Sequence, residues 1–276
     1  MCTCIANSRF FGRTLDVDRD YSPQLVLMPE QYPLTFRKCA TPTLHFAILG
    51  TACVVDDYPL FFDAMNNHGL AMAGLNFPES CRYFPLFAGK DNIASFELIP
   101  WILGSCRTVA ETLPLLHRLN VWDAAFSPDF PPSPLHWLLS DGQQTITVES
   151  TTSGLQIYNN PAGVLTNEPP FPQHRTGNYS PTHRAAGLPG DFTSQSRFQR
   201  AAYCRNYGKS STAADFFRLL TPVTIPAGCS QLTTVLSTCC DRKLGSYHIF
   251  PAQSLSPVTL TLQEQQTTLI RKDLTP

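Results

Sequence analysis

The feature that most constrains this chain is the stretch from residue 135 to 166. Apolar segments of strand length at 135–140, 145–149, 155–158 and 164–166 are separated by Asp141-Gly142, Ser153-Gly154 and a turn at 159–163. Short β-forming runs punctuated by such turn residues specify antiparallel hairpins. The same pattern recurs elsewhere. Residues 3–6 and 10–16 flank a tight turn at Asn7-Ser8-Arg9. Residues 25–28, 44–49 and 70–75 are further strand-length runs, the last entered through Asn66-Asn67-His68-Gly69. Residues 233–237, 246–250 and 258–262 return to strands near the C-terminal end.

Between these runs the period changes. Apolar residues in 93–106 and 109–119 recur as on helices, with Leu113, Leu116 and Leu119 on one face. Thr108 and Glu111 have the spacing of a capping box, while Pro100 and Pro114 interrupt both segments. Residues 196–207 and 211–220 also read as helices, and 127–134 is a proline-rich loop. The order strands, helices, strands, helices, strands predicts an α+β fold of two antiparallel sheets with helices packed outside. No repeat or low-complexity linker divides the chain. Its 276 residues, 43% of them hydrophobic, suffice for one large core, so 1–276 is read as a single domain.

Charge removes several function classes. Twenty basic and 21 acidic residues give a formal charge of -1, which leaves no footprint for nucleic acid or an anionic membrane. No run is long and apolar enough to cross a bilayer. Met1-Cys2-Thr3-Cys4 lacks the basic and apolar regions of a secretory leader, which predicts a cytoplasmic protein. Ten cysteines in a reducing compartment read as core or reactive side chains. Neither Cys239-Cys240 nor the Cys2/Cys4 pair has zinc-finger spacing, so no metal and no cofactor are expected. Charged residues are 15% of the chain, below the usual quarter or so, which is compatible with a subunit interface.

Cys2 carries the chemistry. A small residue after the initiator methionine permits removal of Met1, leaving a free α-amine and a thiol on one residue. An α-amine titrates near 7.7–8.0 and a cysteine thiol near about 8.5, so the amine can accept the thiol proton near neutrality. Position 2 alone is weak evidence, since cysteine is often a small hydrophobe. The strand that follows raises its weight, because a nucleophile at the start of a core strand does not fray. On the next strand, alternation sets Thr14 and Asp16 on one face and Arg13 and Leu15 on the other. Arg13 is a cation that favours thiolate, and Asp16 a carboxylate that can hold the amine. An ordinary surface ion pair, worth roughly 0–1 kcal/mol, fits those two residues equally well.

Several blocks in order resemble a known family: Met1-Cys2-Thr3, Phe11-Gly12-Arg13 to Asp16, Asp56-Asp57-Tyr58-Pro59, and Gly69 through Pro78. Leu135-His136-Trp137, Val164-Leu165-Thr166-Asn167, Gly187 through Asp191 and Ser196-Arg197-Phe198 follow. Together they resemble the choloylglycine hydrolases, the bile salt hydrolases and penicillin V acylases of the N-terminal nucleophile superfamily. The resemblance spans essentially the whole chain. It implies a four-layer αββα sandwich of two antiparallel sheets flanked by helices. It implies that Cys2 is the nucleophile, that Arg13 stands beside the thiol, and that Asp16 orients the α-amine. It further implies that Asn167 donates to the oxyanion, with Asn76 as a second donor through its backbone N–H, and that Arg197 is a further active-site arginine. Leu15, Val54, Val55 and Phe61 are expected on the wall of an apolar substrate pocket. The implied substrate is a small N-acyl amide, first a conjugated bile salt.

Two departures bear on assembly and specificity. Residues 168–195 are shorter than in typical members, where that segment helps to build a tetramer; self-association as a tetramer or dimer is still expected. The segment between Cys2 and Gly12 is also short. Rival readings are a penicillin V or N-acyl homoserine lactone acylase of the same mechanism, a non-catalytic binding protein, and a metal or redox protein built on the cysteines. Asn76, where penicillin V acylases of the family favour an aromatic residue, leans toward bile salts.

Overall fold

The computed structural model describes residues 1–40, 45–176, 187–262 and 268–274. Strands β1 (Cys2–Ala6) and β2 (Phe10–Val17) form the hairpin expected from the sequence. Asn7 closes it, its Oδ1 accepting from the Arg9 and Phe10 amides at 3.0 and 2.7 Å. On one side of the hairpin lies β12 (Val164–Leu165). On the other lie β13 (Thr233–Asp241), β14 (Ser246–Pro251) and β15 (Val258–Thr261). The resulting antiparallel sheet runs β12-β1-β2-β13-β14-β15.

The second sheet contains β3 (Gln24–Met28), β4 (Ile48–Val55), β5 (Tyr58–Asn66), β6 (Ala71–Asn76), β9 (Leu135–Ser140), β10 (Thr145–Thr151), β11 (Gly154–Asn159) and β16 (Ile270–Lys272). Its order is β11-β10-β9-β6-β5-β4-β3-β16. The first three strands of the predicted meander form its β9-β10-β11 edge, whereas the fourth, β12, leaves this sheet and pairs with β1 in the other. Helices α4 (Ser194–Tyr207) and α5 (Ala213–Leu220) cover the first sheet. Their Ala201, Ala202, Phe216 and Leu219 join a buried core with Ile5, Phe10 and Phe11. Helices α1 (Leu98–Ser105) and α2 (Val109–Arg118) cover the second sheet, where Ile99, Ile102 and Leu116 pack with Met28, Ile48 and Met72. The layers are therefore helices, sheet, sheet, helices, as expected. No helix among the described residues is long and apolar enough to cross a membrane.

Several local expectations change. Residues 93–106 do not form one helix. Ile93 and Ala94 belong to β7 (Asp91–Ala94), which pairs in parallel with β8 (Leu119–Trp122). The buried Glu97 carboxylate then accepts from the Ala94 and Arg37 amides at 2.9 and 2.7 Å, and α1 starts one residue later. The expected strand at 44–49 begins instead at Ile48 and runs to Val55; Leu44 lies outside the described residues. It turns into β5 through Asp56 and Asp57, both with positive φ (48° and 62°), as a two-residue hairpin turn requires. The Thr108 cap is half a capping box. Its side chain accepts from the Glu111 amide, but the Glu111 carboxylate accepts from Arg107. The helix α3 (Phe171–Thr176) and strand β16 were not expected.

β2 and β13 approach closely at Gly12, where a Cβ would lie 2.0 Å from the Thr238 carbonyl oxygen. Gly12→Ala must push these strands apart. The expected loss is about 1–3 kcal/mol of unfolding free energy, the usual cost of overpacking, read from urea denaturation. A variant as stable as wild type would show that the two strands part freely.

Candidate active site

The β1/β2 register sets Cys2 opposite Leu15, Thr3 opposite Thr14 and Cys4 opposite Arg13. Since side chains alternate along a strand, Cys2, Cys4, Arg13 and Leu15 face the second sheet, and Thr3, Thr14 and Asp16 face α4. Each face carries a buried arginine. On the inner face, Arg13 is 1% exposed and donates to the carbonyls of Gly74 (2.6 Å), Phe62 (3.0 Å) and Thr14 (3.2 Å). Burial works against its charge, yet Cys2, Asp63, Cys4 and Asp16 raise its pKa above the ordinary arginine value.

On the outer face, Arg197 projects from the first turn of α4, whose N-cap is Thr193. It donates to the Cys2 carbonyl and the Thr3 hydroxyl, both at 2.7 Å, and to Asn167 Oδ1 at 2.9 Å. Asp16 Oδ2 lies 3.8 Å from it. Burial pushes the Asp16 carboxyl above the usual carboxylate value, opposed by Arg197, Thr234, the N-terminal amine and Thr14. Thr234 donates to Asp16 Oδ1 at 2.6 Å. It does so at an irregularity in the β2–β13 register between Thr234 and Leu236, and such bulges re-aim side chains.

Asn167 meets the start of β1. Its Oδ1 accepts the Cys2 backbone N–H at 2.7 Å, and its Nδ2 donates to the Asn76 carbonyl at 2.7 Å. Its backbone is fixed on both sides. The Asn167 N–H donates to Ser194 Oγ at 2.9 Å, and His174 Nε2 lies 2.9 Å from the Asn167 carbonyl. One residue earlier, the Thr166 carbonyl faces His136 Nε2 at 2.7 Å, and His136 Nδ1 faces the buried Glu149 carboxylate at 3.1 Å. Cys2, Arg13, Asp16, Asn76, Asn167 and Arg197 are thus brought together from β1, β2, the end of β6, the loop after β12 and α4.

A cavity of about 370 Å³ opens at Cys2. Met1, Cys2, Arg13, Leu15, Asp16 and Asn76 line it on the site side. Leu15 and Phe61 stand in its wall as expected, but Val54 and Val55 do not. Cys53 faces the cavity, so alternation turns Val54 the other way, into the core beneath α1, and Val55 ends the strand at the Asp56-Asp57 turn. Much of the wall comes from residues that sequence reasoning missed: Tyr21, Phe62, Phe96, Phe126, Phe130 and the prolines 131, 132 and 134. The available signal was the proline-rich loop 127–134, which carries Phe130 and directly follows Phe126. With Met1 in place, Cys2 is 4% exposed. Met1 continues the hairpin: its amine donates to the Asp16 carbonyl at 2.9 Å, and the Asp16 amide donates to the Met1 carbonyl at 3.1 Å. Among the described residues no cluster of histidine, cysteine and carboxylate side chains is arranged to hold a metal ion. Part of the 168–195 segment, residues 177–186, lies outside the described residues.

A family model for linear amide C–N hydrolases, choloylglycine hydrolase family, matches residues 2–180 and 174–268. A bile salt hydrolase/transferase of Lactiplantibacillus plantarum is 37% identical over 307 aligned positions, covering 97% of this chain and 95% of that protein. One from Clostridium perfringens is 32% identical, covering 90% and 88%. The crystal structure of the C2A mutant of the Clostridium perfringens conjugated bile acid hydrolase superposes with a TM-score of 0.89 at 27% identity, covering 100% of this chain and 97% of that one. A penicillin V acylase from Agrobacterium tumefaciens gives 0.82 at 20% identity over 100% and 92%, a likeness of fold alone.

Burial holds the pKa of His174 below its ordinary value of 6.5. Below pH 6.5 the unfolded chain therefore binds more protons than the folded one, and stability falls as the pH falls. His174→Phe should flatten that fall in urea-measured stability between pH 7 and about 5. His248, also lowered by burial, should account for part of what remains. An unchanged slope would mean that His174 binds protons equally in the folded and unfolded chain.

Proposed function

The chain belongs to the choloylglycine hydrolase family of linear amide C–N hydrolases, and from that membership we propose that it hydrolyses conjugated bile salts, releasing glycine or taurine, with Cys2 as nucleophile. The observation that carries the reading is the place of Cys2: it lines an apolar cavity beside Arg13, and its backbone nitrogen sits 2.7 Å from Asn167 Oδ1. The relatives named as bile salt hydrolases, aligned over most of the chain, support the substrate class. So does a wall of Leu15, Phe61, Phe96, Phe126 and Phe130, which suits an apolar sterol.

The proposed cycle starts after Met1 is removed. The Cys2 α-amine then takes over the position on Asn167 Oδ1, close to Asp16. It accepts the thiol proton directly or through one water. The sulfur attacks the amide carbonyl, and the C=O electron pair moves onto oxygen. Asn167 Nδ2 has two hydrogens; one serves the Asn76 carbonyl and the second is assigned to the oxyanion, together with the Asn76 backbone N–H. On collapse the C–N bond breaks, and the ammonium proton passes to the departing nitrogen, which leaves as the free amine of glycine or taurine. Water then adds to the thioester, gives its proton to the α-amine, and releases the bile acid as the sulfur departs. Arg13 stabilises the sulfur anion, while Arg197 holds the Cys2 carbonyl and Asn167 in place. The same reading has the enzyme working in the cytoplasm as a homo-oligomer, in keeping with the low charged fraction.

The test is amine release from glycocholate, taurocholate and penicillin V, by protein whose loss of Met1 is verified by intact mass. Turnover of the bile salts is expected, and Cys2→Ala should abolish it while keeping the fold. Turnover of penicillin V alone would move the substrate to the phenoxyacetyl class. Activity retained in Cys2→Ala would remove the mechanism altogether.

Asn167→Ala should lower kcat by roughly 10²–10³-fold, the usual loss on removing one oxyanion donor. Asp16→Asn should lower kcat more than it changes KM. Steady-state kinetics on the best substrate checks both, and wild-type kcat in either variant would exclude that residue from the reaction.

A further inference from the structure

Asp63 is a buried carboxylate that the cycle above leaves unused. It lies on β5 and is 0% exposed. Its Oδ2 receives hydrogen bonds from the facing sheet: one from Tyr247 on β14 and one from Thr238 on β13 at 2.9 Å. The Tyr247 hydroxyl also shares a hydrogen bond with Thr51 on β4 at 2.8 Å. The Thr238 hydroxyl oxygen accepts the Arg13 amide at 3.1 Å. The Arg13 guanidinium reaches across to Phe62, the residue before Asp63, and to Gly74. A carboxylate and a guanidinium thus enter one narrow polar band from opposite sheets, with apolar core around them. Burial raises the Asp63 carboxyl, and Arg13, Tyr247 and Thr238 draw it back. Of the groups that raise Arg13 against its own burial, Cys2 comes first and Asp63 second.

We propose that Asp63 is a positioning residue for the nucleophile: its carboxylate is the fixed counter-charge of Arg13 and limits how much positive potential reaches Cys2. Arg13 remains cationic whatever surrounds it, so the charge felt at the thiol is set by what opposes it from behind. An over-stabilised thiolate is a weaker nucleophile, and a partly compensated Arg13 avoids that loss. The inference rests on the reading of Cys2 as the nucleophile.

The experiment is alkylation of Cys2 by iodoacetamide as a function of pH, in protein lacking Met1. The N-terminal peptide is followed by mass, so that the exposed Cys229 does not interfere. In Asp63→Asn the midpoint should move toward acid by roughly half a unit to one unit, as when a charge is removed near a buried site. Tyr247→Phe keeps the carboxylate but deletes a hydrogen bond that stabilises its anion. It should move the midpoint the same way by less, and it serves if Asp63→Asn does not fold. A midpoint that coincides with wild type, or moves toward alkali, in folded variants overturns the inference. Alkylation needs no substrate, so this result stands whatever the amide assay finds. Absence of wild-type turnover counts only against the substrate reading.

Discussion

Two buried guanidinium groups, one on each face of the β1/β2 hairpin, are the constraint on which the rest of the site depends. A buried arginine brings N–H donors that must all find acceptors or lose much of their hydration energy. Arg13 uses carbonyls of its own strand, of β5 and of β6, whereas Arg197 uses carbonyls at Phe192 and Cys2. The two clamps tie the β1/β2 hairpin to the opposite sheet on one side and to α4 on the other. Removing one partner of a buried charge typically costs about 3–5 kcal/mol, against roughly 0–1 for a surface pair. The stability of the sandwich and the placement of the Cys2 sulfur are therefore set by the same contacts.

A second layer of fixing surrounds Asn167, the one site residue carried by a loop rather than by a regular element. Its backbone and that of Thr166 are held by Ser194, His174 and His136, and His136 is itself stacked on Phe77 with ring centroids 4.3 Å apart. On the proposed mechanism this amide bridges a backbone nitrogen and the reacting oxygen and needs such rigidity, because loops alone do not hold side chains to fractions of an ångström.

The hairpins were legible because alternation and turn residues are local signals. The same alternation places Arg13 and Asp16 on opposite faces of the strand from the sequence alone. β5 was not legible, since its one buried acid, Asp63, breaks the apolar pattern and its partners Tyr247 and Thr238 come from far along the chain. The segment 93–106 misled because Ile93 and Ala94 are apolar in a strand as they would be in a helix, and only the Glu97 carboxylate marks the boundary. Asn167 and Arg197 were reached through family resemblance alone; nothing near them in sequence announces that they meet at Cys2. Val54 and Val55 stand off the cavity for two different reasons: Val54 lies on the strand face opposite Cys53, and Val55 ends the strand at the Asp56-Asp57 turn.

The two hydrogen bonds between Met1 and the backbone of Asp16 bear on timing. Once β2 has zipped onto β1, Met1 stands just ahead of the strand with its amine and carbonyl both engaged, a poor shape for an exopeptidase. On the proposed mechanism, trimming then competes with hairpin closure, and the favourable moment falls while the nascent chain is still leaving the ribosome. Overproduction that outruns the aminopeptidase, or an affinity tag placed ahead of Cys2, would on this view yield well-folded but permanently capped molecules.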